Sequence, residues 1–105
     1  MVSMSDIQSL ANRVVQSFQP DQIILFGSHA AGTARDDSDV DLLVLIPFEG
    51  KPFWKSLEIL NAVNPHFAVD LIARDPVDTK RRYEQLDPLI RDALDHGKVL
   101  YDRRG

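Results

Sequence analysis

The chain holds 105 residues, enough for one domain with one modest core, and its 44% apolar and 27% charged residues exclude wholesale disorder. With 16 acidic residues against 12 basic ones the net charge is −4, which argues against a surface built mainly to hold a nucleic-acid backbone. The absence of cysteine rules out disulfide frameworks, cysteine–zinc sites and thiol nucleophiles.

The longest apolar run, residues 42–47, is far too short to cross a bilayer, and the opening MVSMSDIQSL lacks the basic-then-apolar layout of a signal peptide. No membrane partner is expected, and the expected location is the cytoplasm. Ser5 and Gln8 have the spacing of a capping box, and Ile7, Leu10, Ala11, Val14, Val15 and Phe18 recur at helical spacing until Pro20. DQIILFGS is a short β-run closing on Gly27, and SDVDLLVLIP is a second strand stopped by Pro47. Side chains alternate along a strand, so Val40, Leu42, Val44 and Ile46 share one face, and Asp39, Asp41, Leu43 and Leu45 share the other. Apolar residues on both faces predict a central strand covered on two sides.

GKPFWKSLEILNAVN predicts a helix with Phe53, Leu57, Leu60 and Ala62 or Val63 inward, and HFAVDLIARD predicts a third strand with Asp70 in its middle. Asp75-Pro76 and Asp87-Pro88 each pair an N-cap with proline at the first helical position, and Gly97 stops the second of these helices. KVLYD fits either a last short strand or a packed tail. With no repeat, low-complexity segment or linker, the expectation is a single α/β (α+β) domain over residues 1–105, with one helix before the first strand pair and three after it.

The chemistry concentrates in ILFGSHAAGTARDDSDVDLLVLI, where two carboxylates stand at the mouth of an apolar strand. A buried carboxylate without a partner protonates or finds a cation. Gly27 and Gly32 have the four-residue gap of a Walker A phosphate loop, but Thr33-Ala34 stand where that motif needs Lys and then Ser or Thr. A solvated Asp-rich loop with turn-capping Asp39 and Asp41 is a second reading. The third is a metal–nucleotide site. Residues i and i+2 of a strand point to the same side, about 6.5–7 Å apart, and two carboxylates so placed can bracket Mg²⁺, which favours oxygen ligands and substrate phosphates. Gly27 would let the backbone approach a phosphate closely, and Ser28 would add a hydroxyl and an N–H at the start of a short helix, where anions are attracted. Asp70 interrupts another apolar strand and breaks the burial rule a second time, which favours the third reading.

Gly27-Ser28, ten residues (29–38) and then Asp39-Val40-Asp41 resemble the signature of the DNA polymerase β-like nucleotidyltransferase superfamily, and the short chain with its ending LDPLIRDALDHGKVLYD resembles the minimal nucleotidyltransferases. The resemblance implies a small mixed β-sheet flanked by helices. It implies that Asp39 and Asp41 bind two Mg²⁺ ions, that Asp70 completes the cage as a third catalytic carboxylate, and that Gly27 and Ser28 seat the triphosphate of ATP. The implied reaction moves a nucleoside monophosphate onto a hydroxyl and releases pyrophosphate, a step that metal ions assist by activating the hydroxyl and neutralising developing charge. Minimal nucleotidyltransferases are commonly paired with a helical HEPN-type toxin, act as its antitoxin, and in some pairs transfer AMP to a toxin tyrosine.

Three activities follow as expectations. The first is a Mg²⁺-dependent adenylyltransferase antitoxin that modifies its HEPN-type partner. The second is a binding module that neutralises a partner by occlusion alone. The third is a nucleotidyltransferase acting on a small molecule or an RNA end with help from another chain. Arg35, between the serine and the aspartates, is placed to reach phosphate oxygens, against the plainer reading of a solvated charge. His29 is read as incidental, and His66 and His96 as structural or exposed. The basic cluster TKRRYEQ reads as a solvated helical face ahead of a guide for ATP, RNA or an acidic partner, and one of Phe53 and Trp54 is expected to face outward.

Overall fold

The computed structural model describes residues 2–105, beginning with helix α1 (Met4–Phe18). Ser3 caps it: its hydroxyl accepts from the Asp6 N–H at 3.1 Å, and the Asp6 carboxylate accepts from the Ser3 N–H at 3.2 Å. The capping box is therefore Ser3 with Asp6, two residues ahead of the expected Ser5 with Gln8, because an aspartate at the third helical position closes it as well as a Glu or Gln. Ile7, Leu10, Ala11 and Val14 are buried, whereas Val15 and Phe18 sit at the margin of the core. Gln19 ends the helix in the left-handed region and buried Pro20 follows.

Strand β1 (Gln22–Phe26), the one-turn helix α2 (Ser28–Ala31) and strand β2 (Val40–Leu45) come next, then helix α3 (Pro52–Val63) and strand β3 (Val69–Arg74). Helices α4 (Pro76–Glu84) and α5 (Pro88–His96) precede strand β4 (Lys98–Asp102). The sheet order is β3-β2-β1-β4. β1 runs antiparallel to β2 and β4, while β2 and β3 are parallel and joined through α3, the usual helical crossover for parallel neighbours. KVLYD is thus a strand, held to β1 by its ladder and by Gln22 donating to Asp102 at 2.9 Å.

β2 is central and covered on both sides. Val40, Leu42, Val44 and Ile46 join the α1 and α3 residues in one core cluster, and Leu43 and Leu45 join Ile24, Phe26, Ile90 and Ala93 in another. Burying each such leucine or isoleucine is worth about 1.5–3 kcal/mol, so the sheet is fixed from two sides. Asp75 and Asp87 cap α4 and α5, each accepting two backbone N–H bonds ahead of a first-turn proline. Gly97 then lets the end of α5 lie against β1, since a Cβ there would come within 2.8 Å of the Leu25 carbonyl.

Helix α3 corrects the expected inward face. Ile59 and Val63 are buried and Leu60 is partly so, but Phe53 and Trp54 are 64% and 63% exposed, Leu57 lies at the surface and Ala62 faces solvent. The inward stripe is Ser56, Ile59, Leu60 and Val63, and a polar residue holds one of its positions for a reason. The Ser56 hydroxyl accepts from the Ala73 N–H at 2.8 Å and donates to the Pro52 carbonyl at 2.7 Å, so α3 covers the open edge of β3. β3 is also shorter than the run HFAVDLIARD, which places Asp70 second in the strand rather than in its middle.

Candidate functional site

The site starts where β1 stops. Phe26 pairs with Asp41 across the antiparallel ladder, so the next residue, Gly27, turns away directly over the Asp41 carboxylate. Gly27 has φ 73° and ψ −153°, a region open essentially to glycine alone, and a Cβ there would lie 2.2 Å from Asp41 Oδ2. Ser28 opens α2, Gly32 closes it in the left-handed conformation, and the Thr33 N–H returns to the Ser28 carbonyl at 3.0 Å.

The loop then turns back through Arg35 and Ser38. The Arg35 N–H donates to Ser38 Oγ at 2.8 Å, and the Ser38 N–H donates to the Arg35 carbonyl at 3.0 Å. Asp39 follows outside the ladder, and β2 begins at Val40, whose N–H donates to the Ala68 carbonyl at 3.0 Å. On the neighbouring strand Asp70 is the direct register partner of Asp41. Partners in register point to the same face, so Asp41 and Asp70 share the face that carries Phe26, Leu43 and Ile72, beyond the part that α5 covers.

Asp39 and Asp70 are exposed and Asp41 is half-buried. Burial raises the Asp41 carboxyl above its ordinary range, and the charges of Asp70 and then Asp39 raise it further, while His29 pulls the other way. Asp41 thus feels the charge of both other aspartates, which is the electrostatic setting of a cation site. As the side chains stand, no three His, Asp or Glu groups among the described residues close into a metal-ligating set, so the expected cage is not preformed. Like charges repel, and the two exposed carboxylates are free to rest apart from the half-buried one. The donor set nonetheless fits a hard cation: every candidate ligand is a carboxylate oxygen, and such an ion draws the rest of its shell from water and phosphate.

Arg35 is exposed on the loop, with its backbone in the turn onto Ser38. His29, read from sequence as incidental, is half-buried with Nε2 3.2 Å from the Ser38 carbonyl, a contact that no spacing rule would have found. The basic cluster lies on α4, where Arg81 and Arg82 both bind Asp78 and Arg91 lies over the Tyr83 ring at 4.3 Å. Much of its charge is thereby taken up within the domain. A cavity of about 870 Å³ lies elsewhere, between Leu45, Thr79, Tyr83, Leu94 and Arg103. Leu45 is four residues along β2 from Asp41, about 13 Å away, so this cavity is separate from the carboxylates.

Gly27 thus packs on one of two strand-mouth carboxylates, with a third in register on the next strand. The chain belongs to the polymerase beta nucleotidyltransferase family, whose model matches residues 8–104. A protein of Methanocaldococcus jannaschii, named provisionally as a protein adenylyltransferase, is 36% identical over 87 residues, which cover 77% of this chain and 58% of that protein. The chain therefore spans little more than half of that relative's length. Among solved structures, one named provisionally as a nucleotidyltransferase of Sulfolobus solfataricus superposes with a TM-score of 0.66 at 19% identity, covering 95% of this chain and 80% of the other. A second, at TM-score 0.50 and 19% identity over 92% of this chain and 73% of the other, comes from the tri-AMPylated Shewanella oneidensis HEPN toxin in complex with its MNT antitoxin. At these identities the two structures speak for the fold. No helix among the described residues is long and apolar enough to cross a membrane.

Proposed function

We propose that the protein is an adenylyltransferase that moves AMP from ATP to a hydroxyl on a partner protein, and that this partner is a HEPN-type toxin that the transfer silences. The observation that carries the reading is the register pairing of Asp41 with Asp70 beneath Gly27, which sets two carboxylates beside the glycine turn that packs directly on one of them. Asp39, Asp41 and Asp70 would hold Mg²⁺, which when bound supplies charge neutralisation at the phosphates and activates the attacking hydroxyl. Gly27 and Ser28 would seat the triphosphate, and the exposed Arg35 would meet phosphate oxygens from the loop. The acceptor oxygen bonds to the α-phosphorus, the bond from that phosphorus to the bridging oxygen of the β-phosphate breaks, and pyrophosphate departs. The proton leaving the acceptor passes to Asp70 or to water. The adenylyltransferase name of the archaeal relative and the AMPylated toxin beside the structural neighbour support AMP as the group and a toxin as the acceptor. The openness of the site supports a macromolecular acceptor: Asp39 and Asp70 are exposed, so a docking partner must supply the positioning on which phosphoryl transfer depends.

A second reading, neutralisation by occlusion alone, draws on the paired rings of Phe53 and Trp54, edge-on at 5.0 Å and largely exposed, the kind of surface that anchors a partner. One experiment separates the two. The product of the adjacent gene is co-expressed with the parent or with Asp39→Ala, and the partner is weighed by mass spectrometry. Added mass of one or more AMP groups with the parent alone supports transfer. An unmodified partner neutralised equally by both forms supports occlusion and refutes the catalytic reading.

A further inference from the structure

Asp39 is the least supported of the three carboxylates. It lies one residue outside the β2 ladder, its side chain is exposed, and the chain before it is an eleven-residue excursion from Gly27. On its C-terminal side the Val40 N–H is fixed to the Ala68 carbonyl. On its N-terminal side, among the described residues, the Ser38–Asp39 peptide is tied to α2 by one bond, from His29 Nε2 to the Ser38 carbonyl at 3.2 Å; the other bonds of Ser38 are to Arg35, within the loop. A carbonyl oxygen only accepts, so Nε2 carries the hydrogen. His29 is the second residue of α2, immediately after Ser28. The imidazole therefore ties the segment that holds Gly27 and Ser28 to the peptide plane that aims Asp39.

We propose that His29 is a positioning residue: its Nε2–H bond to the Ser38 carbonyl holds Asp39 at a set distance from the Gly27–Ser28 segment, so that one cation can be shared between Asp39 and a triphosphate seated there. This rests on Asp39 being a metal ligand, as argued above. The ring touches neither metal nor nucleotide in this role. It acts through the backbone, as groups behind a metal ligand commonly do, and the loss of such a group typically costs 10–100-fold in metal affinity.

The test needs no acceptor. Binding of an ATP analogue with a methylene bridge between its α- and β-phosphates is measured by calorimetry with and without Mg²⁺, for the parent, His29→Leu, His29→Gln and Asp39→Asn. His29→Leu should lose about 10-fold of the Mg²⁺-dependent gain in affinity while keeping the Mg²⁺-free affinity. His29→Gln, whose amide reaches the same place with an N–H, should keep the gain to within about 3-fold. If Asp39→Asn loses the gain and His29→Leu retains it, the positioning role is refuted and the metal reading survives. If Asp39→Asn retains the gain, the metal reading fails and takes this inference with it. Equal losses in His29→Gln and His29→Leu would mean that the ring itself is required, which also refutes the role. Should His29→Leu fold poorly, long-range ¹H–¹⁵N spectra of the metal-free parent decide instead: the Nε2–H tautomer is expected, and an Nδ1–H tautomer overturns the proposal.

Discussion

Replacing Gly27 with alanine is the most direct probe of how the site is built. The new Cβ would lie 2.2 Å from Asp41 Oδ2, where ordinary contact begins at 3.4 Å, so the carboxylate or the turn must yield by about 1 Å. The backbone at φ 73°, ψ −153° adds a penalty of about 1–3 kcal/mol for any residue with a side chain. Driving Asp41 off its rotamer adds about 0.5–1.5 kcal/mol. The expected loss is about 2–4 kcal/mol, which for a domain of this size lowers Tm by at least roughly 10 °C. Denaturant unfolding of a four-member cycle isolates the clash. In an Asp41→Ala background the offending oxygen is gone and the remaining Cβ sits at an ordinary 3.4 Å, so Gly27→Ala should there cost only its backbone part. The coupling between the two positions should be about 1 kcal/mol. Coupling below about 0.3 kcal/mol, within the range of independent sites, would show that Gly27 does not rest on Asp41 and would refute the packing account of the motif.

Asp41→Asn should stabilise the metal-free protein by a few degrees in Tm, because burial, Asp70 and Asp39 all penalise its charge. The sign also fixes the pH dependence. A carboxyl raised in the folded state binds its proton more tightly there, so its stabilising share is present at acid pH and is lost as pH rises through the raised value. The Tm difference between Asp41→Asn and the parent, followed in EDTA, should therefore shrink on acidification toward the ordinary carboxylate range, and a difference that grows would contradict the assignment. Ser56→Ala leaves the N–H of fully buried Ala73 without its acceptor and should cost about 1–3 kcal/mol. Ser56→Thr should recover most of that, and faster amide exchange at Ala73 in the alanine variant alone would report the cause. Leu86 holds φ 64° while 66% exposed, so Leu86→Asn should raise stability by up to about 1 kcal/mol in denaturant titrations; a loss would show that the leucine has a packing role.

Local rules read well where the deciding force is local. Asp75 and Asp87 cap their helices because their carboxylates stand where the unpaired first-turn N–H groups need acceptors, and β2 announced its two-sided burial because every residue from Leu42 to Ile46 is apolar. The carboxylates stood out for the same reason, as charges where the pattern called for leucine. What stayed hidden was set by partners distant in sequence. Helix α3 is phased by one hydroxyl seventeen residues from the amide it satisfies, so a hydrophobic count chose Phe53 and Leu57 and missed Ser56. The register that puts Asp70 opposite Asp41 depends on a crossover, and the contact of His29 with Ser38 depends on how a loop folds back. Asp6 in place of a glutamate hid the true helix start by a smaller margin.

The place of β4 in the sheet bears on how the protein is made. β1 hydrogen-bonds to β2 on one side and to β4 on the other, and β4 begins more than seventy residues later. Around it, Gln8 donates to the Leu100 carbonyl across 92 positions and Arg103 pairs with Asp21 across 82. During synthesis, then, residues 22–74 can assemble β1, β2 and β3 while β1 still presents a bare edge. That edge stays open to pairing with other nascent chains until residues 98–102 leave the ribosome. Translational stalling or truncation before residue 98 would leave all three aspartates in the chain without the strand that seals the sheet, and such fragments should partition to the insoluble fraction.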